Sequence, residues 1–461
     1  MIVKNIKIHH KIFLIVTITL WAFQHNSLSA AREPLIRVLI SKNNDIRIRS
    51  DRSIPLTIKG KMFPNKKIKG LTLKKQGSYA KIYFDKDKQK IYDLNNEQNF
   101  QIKSTDGRGI WVGQKRYSGK LNLYILDSEI LVVNVLGIEK YLSSVVGSEM
   151  PATWPLEALK AQAIASRTYA LKQKGNSFYD IDSTSKNQVY RGLEARTYKT
   201  TRAVSSTRTL VLTYKNKLIN ALFHSSSGGM TENSQDVWKN KYPYLSSVKD
   251  FDRTNPKLRW EKRFSNEQLQ NLFPVIGGIK QIEILNITNT GRVKNVRIHG
   301  DYGFIQISGV DIRKRMNLKS TLVRFKFIED NETESTKKNP KLRSKNKLGY
   351  EPLIHIVKAG DNLIGIAEKH NVNVHEIVDL NSIQDSSLIS LDQRLLIPTH
   401  SFNTSSSLKK ILVVSGNGSG HGVGMSQWGA RYMASKGEKA DEILKHFYKG
   451  VKIKPFSKYF L

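Results

Sequence analysis

The chain has 461 residues, of which 39% are hydrophobic, so it can bury the cores of two or three domains. It contains no cysteine, which excludes a disulfide framework, a thiolate nucleophile and a zinc site with cysteine ligands. The formal net charge of +36 predicts long-range attraction to polyanions. A base-composition bias of the genome is the alternative explanation, because the basic residues are scattered along the chain.

The N-terminus has the three parts of a secretory signal. Lysines precede an uncharged run over residues 12–23, and the small residues Ser29 and Ala31 follow it. This run is short for a membrane span of about 20 residues. We therefore predict a signal peptide over residues 1–31 and an exported protein in the periplasm or cell wall of a bacterium. An uncleaved N-terminal anchor is the alternative, and membrane contact is expected only through it.

Short apolar stretches alternate with polar turns from residue 35 to about 135, which is typical of strands. A helix is predicted from Leu156, with Pro155 in its first turn and Gly175 past its end. Its expected apolar face comprises Leu156, Leu159, Ala163, Ser166 and Ala170. Strand-like runs resume at 210–214, 218–223 and between 282 and 307. Because helix and strand mix without regular βαβ repeats, the predicted fold class is α+β.

Composition divides the chain further. Residues 329–350 and 399–407 are polar and read as linkers, so they bracket an independent module over 352–398. That module has three basic and six acidic residues, a net charge of 3 − 6 = −3, so the basic excess belongs to the rest of the chain. The rest comprises a β-rich part over 32–135, a core over 136–328 and a C-terminal part of that core over 408–461.

The bracketed module resembles the LysM family along its whole length. The resemblance rests on HIVKAGDNL (residues 355–363), Ile366, Ala367, Val374, Ile377, Leu380, Asn381 and LDQRLLIP (residues 391–398). It implies a βααβ fold that binds N-acetylglucosamine-containing glycans in a shallow groove between two loops. The candidate glycan contacts are Gly360, Asp361, Asn362, Leu363, Ile383 and Gln384. Leu363, Ala367, Leu395 and Ile397 are also expected in the module's core.

The remaining chain resembles the stage II sporulation protein D family, which includes the amidase enhancers. Four ordered blocks carry the resemblance: YLSSVVGSEMPATWPLEALKAQAIASRTYA (141–170), QVYRG (188–192), FHSSSGGMTE (223–232) and GSGHGVGMSQWGA (418–430). The family would cover about residues 35–328 and 408–461, with the LysM module inserted between the two pieces.

This resemblance implies a lytic transglycosylase, which cuts the bond between N-acetylmuramic acid and N-acetylglucosamine and leaves a 1,6-anhydro end. The family's single acid/base maps to Glu149. One carboxyl group protonates the leaving oxygen and then accepts the proton of the sugar's own 6-hydroxyl, whereas hydrolysis normally needs a carboxylate pair.

A structural role competes with the catalytic one for Glu149, because an acidic residue just before a helix is often only a cap. A helix N-terminus also lowers a carboxyl pKa, whereas a general acid needs it raised, so Met150 and Trp154 would have to exclude water. Glu157, the nearest rival acid, is expected on the surface.

Other residues are candidates for substrate binding near Glu149: Arg167, Gln188, Tyr190, His224, Ser226, His421 and Gln427. A structural ion pair is the alternative for Arg167, and structural roles are the alternative for both histidines. No cofactor is expected. No metal site is expected either, because His224, His421 and His446 lack the spacing of known ligand motifs.

Three functions remain open from the sequence. The first is a peptidoglycan lytic transglycosylase, with glycan strands as its partner. The second is a non-catalytic wall-binding protein that activates a cell-wall amidase. The third is an exported nucleic-acid binder, which only the charge supports and which the export signal argues against, so no nucleic-acid partner is expected.

Overall fold

A computed structural model describes residues 33–52, 54–85, 87–94, 99–173, 175–329, 353–358, 360–370, 372, 374–381, 383, 389–397 and 410–456. The predicted signal peptide lies outside these residues, as do both predicted linkers apart from Glu329. No helix within the described ranges is long and apolar enough to cross a membrane.

The chain divides into two compact units. The first comprises residues 1–220 and 452–461, and the second comprises residues 221–451. The core predicted as one body over 136–328 is therefore divided after Asn220, and the β-rich N-terminal part shares a unit with the helix that follows it. Strands and helices mix in both units, which confirms the α+β class.

The first unit is built mainly from antiparallel sheets. Its strands are β1 (Leu35–Asn43), β2 (Asp45–Ser50), β3 (Leu56–Gly60), β4 (Lys66–Ile68), β5 (Gly70–Gln76), β6 (Tyr79–Phe84), β7 (Asp87–Leu94), β8 (Phe100–Ser104), β9 (Ile110–Val112), β10 (Lys115–Tyr117), β11 (Lys120–Ile125), β12 (Ile130–Gly137), β13 (Ile181–Asp182), β14 (Leu210–Tyr214), β15 (Lys217–Leu218) and β26 (Lys452–Pro455). A seven-stranded sheet has the order β13-β1-β12-β11-β8-β3-β4, a six-stranded sheet has the order β10-β9-β2-β5-β6-β7, and a three-stranded sheet has the order β15-β14-β26. Buried and exposed residues alternate strictly in β2, which explains why the alternation of apolar and polar residues in the sequence predicted a strand there.

Three helices pack in the first unit: α1 (Ile138–Glu149), α2 (Leu156–Lys172) and α3 (Tyr198–Ser206). Helix α1 follows the almost wholly buried strand β12 directly. The N-cap residue of α1 is Gly137, which has no side chain that could cap the helix. Instead, the carboxylate of Glu33 accepts a hydrogen bond from the backbone N–H of Glu139 at 2.9 Å, which satisfies one of the unpaired donors of the first turn.

Helix α2 begins at the predicted residue and ends three residues before Gly175. Its amphipathic character was predicted wrongly. Almost every residue from Ala158 to Ala170 is buried, including Gln162 and Arg167, so α2 is a central helix covered on all sides. Its many alanines and serines allow that close packing, and they blur the periodicity on which the prediction rested.

The second unit has ten strands and seven helices among its described residues. The strands are β16 (Phe223–His224), β17 (Arg259–Phe264), β18 (Gln281–Ile287), β19 (Val293–Gly300), β20 (Gly303–Ser308), β21 (Val323–Glu329), β22 (Leu353–Ile356), β23 (Arg394–Ile397), β24 (Lys410–Asn417) and β25 (Met425–Ser426). The helices are α4 (Ser234–Val237), α5 (Asn266–Leu272), α6 (Gly309–Arg315), α7 (Leu363–His370), α8 (Val374–Leu380), α9 (Gln427–Ser435) and α10 (Ala440–Phe447). The larger sheets have the orders β17-β24-β21 and β18-β19-β20.

The module over 352–398 has the expected βααβ order. Strands β22 and β23 pair antiparallel, and helices α7 and α8 lie between them in sequence. Its own apolar core consists of Val357, Leu363, Ile366, Ala367, Ile377, Leu395 and Ile397. The four residues predicted for this core are therefore confirmed.

The module is inserted between two neighbouring strands of one sheet. Strands β21 and β24 pair antiparallel over seven residues, and Glu329 stands opposite Lys410 at the point of insertion. The two chain ends that flank the module are thus one strand spacing apart, about 5 Å. Such an end-to-end arrangement is normally closed by a short hairpin turn.

We expect that replacing residues 330–409 with a four-residue turn leaves the rest of the chain folded, because β21 and β24 keep their pairing. Retention on purified sacculi should fall, since the glycan groove that the LysM resemblance implies for the module is lost. Melting curves and sacculus pull-downs of both proteins measure these two effects. A shortened chain that no longer folds would show that the body depends on the insertion.

Candidate functional site

Glu149 is the last residue of α1, not a residue before the N-terminus of α2. Its side chain is half-buried, while Met150 and Trp154, which follow it, are buried. A helix C-terminus carries partial negative charge and so disfavours a second negative charge nearby. The difficulty expected from a helix N-terminus therefore does not arise for Glu149, because this residue ends α1 and does not begin a helix.

The segment 188–192 is docked on α1 and holds Glu149 in place. The Oε1 atom of Glu149 accepts a hydrogen bond from the backbone N–H of Val189 at 2.7 Å. Two serines that precede Glu149 in α1 make two more bonds to this segment. Arg191 N–H donates to the Ser148 hydroxyl at 3.2 Å, and the Ser144 hydroxyl donates to the carbonyl of Gly192. These contacts hold the C-terminal part of α1, including Oε1 of Glu149, against the segment 188–192.

Gln188 and Tyr190 were predicted to bind substrate, but both are buried and occupied by internal contacts. The Gln188 amide accepts from the hydroxyl of Tyr141 at 3.0 Å and donates to the carbonyl of Ser166 at 3.2 Å. The Tyr190 hydroxyl donates to Asn134 at 2.8 Å. Burial raises the pKa of Tyr141 and Tyr190, which keeps both phenols neutral. Their role is to position the segment that contacts Glu149.

Arg167 was also a substrate-binding candidate, with an ion pair as the alternative. Its side chain is wholly buried, and its Nε and Nη2 atoms donate to the two carboxylate oxygens of Glu139 at 2.9 and 2.7 Å. The carbonyls of Leu210 and Val204 accept further bonds from the same guanidinium. The ion pair is therefore what the structure contains, and a guanidinium enclosed in this way does not reach a substrate.

The remaining candidates of the catalytic body, His224, Ser226, His421 and Gln427, belong to the second unit. The rings of His224 and His421 lie 5.4 Å apart, and the backbone of Val423 joins them. Nδ1 of His224 bonds the carbonyl of Val423 at 3.2 Å, while the N–H of Val423 donates to Nδ1 of His421 at 3.1 Å. The half-exposed ring of Trp238 lies 5.2 Å from His421.

Ser226 and Gln427 are both buried. Each lies close in sequence to one of the two histidines. The hydroxyl of Ser226 accepts from the amide of Asn255 at 3.0 Å, and its backbone pairs with Ser419. Gln427 is the first residue of α9, and Ser426 caps that helix by accepting from Gly429 N–H at 3.1 Å. Ser226 is thus committed to internal bonds and does not offer its hydroxyl to a substrate.

Burial makes both histidines hard to protonate. Desolvation, followed by the charges of nearby cations, lowers the pKa of His224 well below its usual value and that of His421 to about 4. Because Nδ1 of His421 accepts the hydrogen bond of Val423, a second ring proton would also break that bond. The pair is therefore neutral at neutral pH.

We expect acid to destabilise the second unit between pH 6.5 and about 4. An unfolded His421 takes up a proton near pH 6.5, whereas the folded one takes it up near pH 4. Its contribution to stability is thus complete above pH 6.5 and is lost as the pH falls. The melting temperature should fall less steeply over this range in His421→Gln than in the wild type. His299→Gln, which removes a half-buried histidine on β19, is the control variant for loss of a histidine.

Sequence reasoning missed the charged network beneath these histidines. Arg292 is buried, its Nε atom lies 3.8 Å from the carboxylate of Glu232, and its Nη2 atom donates to the carbonyl of Ser227. A Cβ at Gly422 would lie 2.7 Å from the guanidinium carbon, so only glycine fits there. Glu232 stood inside a quoted motif, but no local pattern connects it to Arg292, 60 residues away. These histidines, with Glu232, do not form a metal cluster, and the described residues contain no group of three or more potential ligands.

In the LysM module, some of the residues predicted to contact glycan have structural roles, and others are exposed. Leu363 belongs to the core and is 3% exposed, so it was predicted wrongly as a glycan contact. Asn362 is exposed and caps α7 through a 2.9 Å bond from Gly365 N–H. The carboxylate of Asp361 accepts from Lys358 N–H at 2.9 Å and contacts Nε2 of His355 at 2.8 Å. Gly360 is exposed and has a φ of +91°. Ile383 is half-buried and packs on the module's core. The last predicted contact, Gln384, lies outside the described residues.

Comparisons with known proteins agree with both resemblances. The model of the stage II sporulation protein family (SpoIID) matches residues 126–214, and the LysM domain model matches residues 355–398. An uncharacterized protein of Brachyspira hyodysenteriae is 28% identical over 349 residues, 74% of this chain and 73% of that protein.

Two named proteins of Bacillus subtilis are also similar. Its stage II sporulation protein D is 29% identical over 342 residues, 70% of this chain and 75% of that protein. Its amidase enhancer is 30% identical over 312 residues, 67% of this chain but 39% of that protein. The chain therefore carries a stage II sporulation protein (SpoIID) domain over residues 126–214 and a LysM domain over residues 355–398, and it is similar over about 70% of its length to proteins named stage II sporulation protein D and amidase enhancer.

Proposed function

We propose that this protein is an exported lytic transglycosylase that cuts the glycan strands of peptidoglycan with Glu149 as its acid/base. The observation that carries the proposal is the setting of Glu149, which ends α1 within the matched family domain and is held at one oxygen by Val189 N–H. The matched SpoIID and LysM domains and the named relatives support a role at the cell wall, and the specific reaction is our inference from the site.

The reaction needs one carboxyl group that changes its role. Glu149 first gives its proton to the oxygen that leaves N-acetylmuramic acid. The same carboxylate then takes the proton of the sugar's 6-hydroxyl as that hydroxyl attacks the anomeric carbon. The bond from Val189 N–H to Oε1 holds the side chain against the segment 188–192, so the same positioned carboxyl group serves both steps.

The LysM module fits this function as a second binding site for the same polymer. It has its own core and its own place in the chain, and its exposed loop residues Gly360 and Asn362 lie outside that core. Binding through a tethered module raises the local concentration of substrate at the catalytic body. We infer that the protein works outside the cytoplasm, where its substrate is found.

Product analysis tests the proposal. Purified full-length protein should release fragments with 1,6-anhydro-muramic ends from sacculi, assayed by mass spectrometry on native and amidase-treated material. The second candidate is an activator of a separate amidase, which the name of the Bacillus subtilis relative favours. Unchanged glycan together with faster release of stem peptides by an added amidase would support that candidate and contradict ours.

A further inference from the structure

An arginine-lined cavity opens on the first unit, beside the segment that contacts Glu149. Its volume is 510 Å³. Seven residues line it: Asp51, Arg52, Gly107, Arg108, Arg116, Leu193 and Arg196. Four of these seven carry a positive charge and one carries a negative charge. Such a lining selects for an anion.

Two of the arginines form ion pairs within the protein. The Nη1 atom of Arg116 lies 3.2 Å from the carboxylate of Asp51, and its Nε atom lies 3.2 Å from that of Glu194. Its guanidinium also lies over the ring of Trp111, 5.3 Å from the centroid. Arg108 pairs with Asp106 at 2.8 Å. Both guanidinium groups are thus paired with carboxylates of the protein itself.

The other two arginines are available. Arg52 and Arg196 are exposed, and neither takes part in the salt bridges found among the described residues of the cavity. Arg52 has a φ of 54°, a left-handed conformation that residues other than glycine seldom adopt. A bond from the Trp111 indole and the charges of Arg116, Arg52 and Arg108 together lower the pKa of Asp51, which reflects the positive field at the site.

The cavity and Glu149 share one stretch of chain. Leu193 and Arg196 line the cavity, while Gly192 and Val189 of the same stretch bond α1 at Ser144 and Glu149. The cavity wall and the segment bonded to Glu149 are therefore consecutive in the chain. Peptidoglycan carries carboxylates on its muramic acid residues and on their stem peptides.

We propose that this cavity is a subsite for a carboxylate of the peptidoglycan strand, bound by Arg52 and Arg196 and oriented by Arg116. The guanidinium fork matches the two oxygens of a carboxylate. The choice of polymer rests on the proposed function, whereas the choice of an anion rests on the arginines alone. The subsite recognises either the lactyl carboxylate of a muramic acid without a peptide or the carboxylate of a stem peptide.

Calorimetric binding to the full chain tests the subsite, with four soluble probes. They are an N-acetylglucosaminyl-N-acetylmuramic acid disaccharide with a free lactyl carboxylate, its methyl ester, the same disaccharide bearing a dipeptide, and poly(glycerol phosphate). The wild type should prefer a free carboxylate over the ester. Arg52→Gln with Arg196→Gln should weaken the preferred carboxylate probe by about tenfold or more, and should leave the ester unchanged.

A variant of equal charge is the control. Lys59→Gln with Lys67→Gln removes two exposed cations of the same unit that do not line the cavity, and binding should change by less than about twofold. Which carboxylate probe loses affinity identifies the source of the anion. Equal losses in both double variants, no preference for acid over ester, or a loss confined to the phosphate polymer would each overturn the proposal. Cleavage of sacculi is measured separately, so a failure of the proposed reaction leaves this binding result intact, and the reverse also holds.

Discussion

Glu149→Gln is expected to abolish strand cleavage while leaving folding and glycan binding nearly unchanged. The amide oxygen can still accept the bond from Val189 N–H, so the docked segment 188–192 keeps its place. The amide cannot deliver a proton to the leaving oxygen or accept one from the 6-hydroxyl. Losing a positioned acid/base costs ~10² to 10⁴ in rate, and a group that serves both steps should fall at the severe end. Release of anhydro-muropeptides from amidase-treated sacculi measures the loss.

Glu157→Gln is the matched control. Glu157 lies in the first turn of α2 and pairs with Lys160 at 2.7 Å, and its side chain is 22% exposed. Losing so local a pair should change the free energy of unfolding by no more than about 0.5 kcal/mol and the rate hardly at all. Full activity of the Glu149 variant, or a loss in the Glu157 variant alone, would transfer the acid/base role to another residue.

The strands, the position of α2 and the LysM module could be predicted because their signals are local. Period-two alternation marks a strand such as β2, and Pro155 marks the start of α2. Helix α1 was missed because its sequence is rich in valine and serine and includes Gly147, which lowers helix propensity. Packing prevails over propensity there. Its buried residues Tyr141, Leu142, Val145 and Val146 recur at helical spacing, a signal that was present in the sequence.

The candidate site was harder to predict than the fold. Motif resemblance identified Glu149, but not the helix that it ends or the backbone N–H that holds it. Gln188, Tyr190 and Arg167 stood in the same motifs and proved to be internal supports, since motif membership does not separate a residue that touches substrate from one that positions its neighbour. The Arg292–Glu232 pair depends on chain segments 60 residues apart, and only the tertiary fold brings them together.

Arg167→Met is expected to destabilise the first unit severely. Arg167 joins four elements: it lies on α2 and bonds Glu139 on α1, the carbonyl of Val204 on α3 and the carbonyl of Leu210 on β14. Methionine fills similar space but leaves a buried carboxylate without its counter-ion and removes one donor each from the carbonyls of Leu210 and Val204. Breaking a buried ion pair on one side costs about 3–5 kcal/mol. Urea unfolding of the variant and the wild type measures this difference.

Two further variants separate the ion pair from a role in substrate binding. Lys160→Met removes a cation from the same helix but breaks only the pair with Glu157, so a loss below about 1 kcal/mol is expected. Combining Arg167→Met with Glu139→Leu removes the uncompensated charge, so the double variant should be more stable than Arg167→Met alone. If Arg167→Met instead unfolds like the wild type and loses only glycan affinity, the guanidinium binds substrate after all, and the enclosure that we describe for it opens in solution.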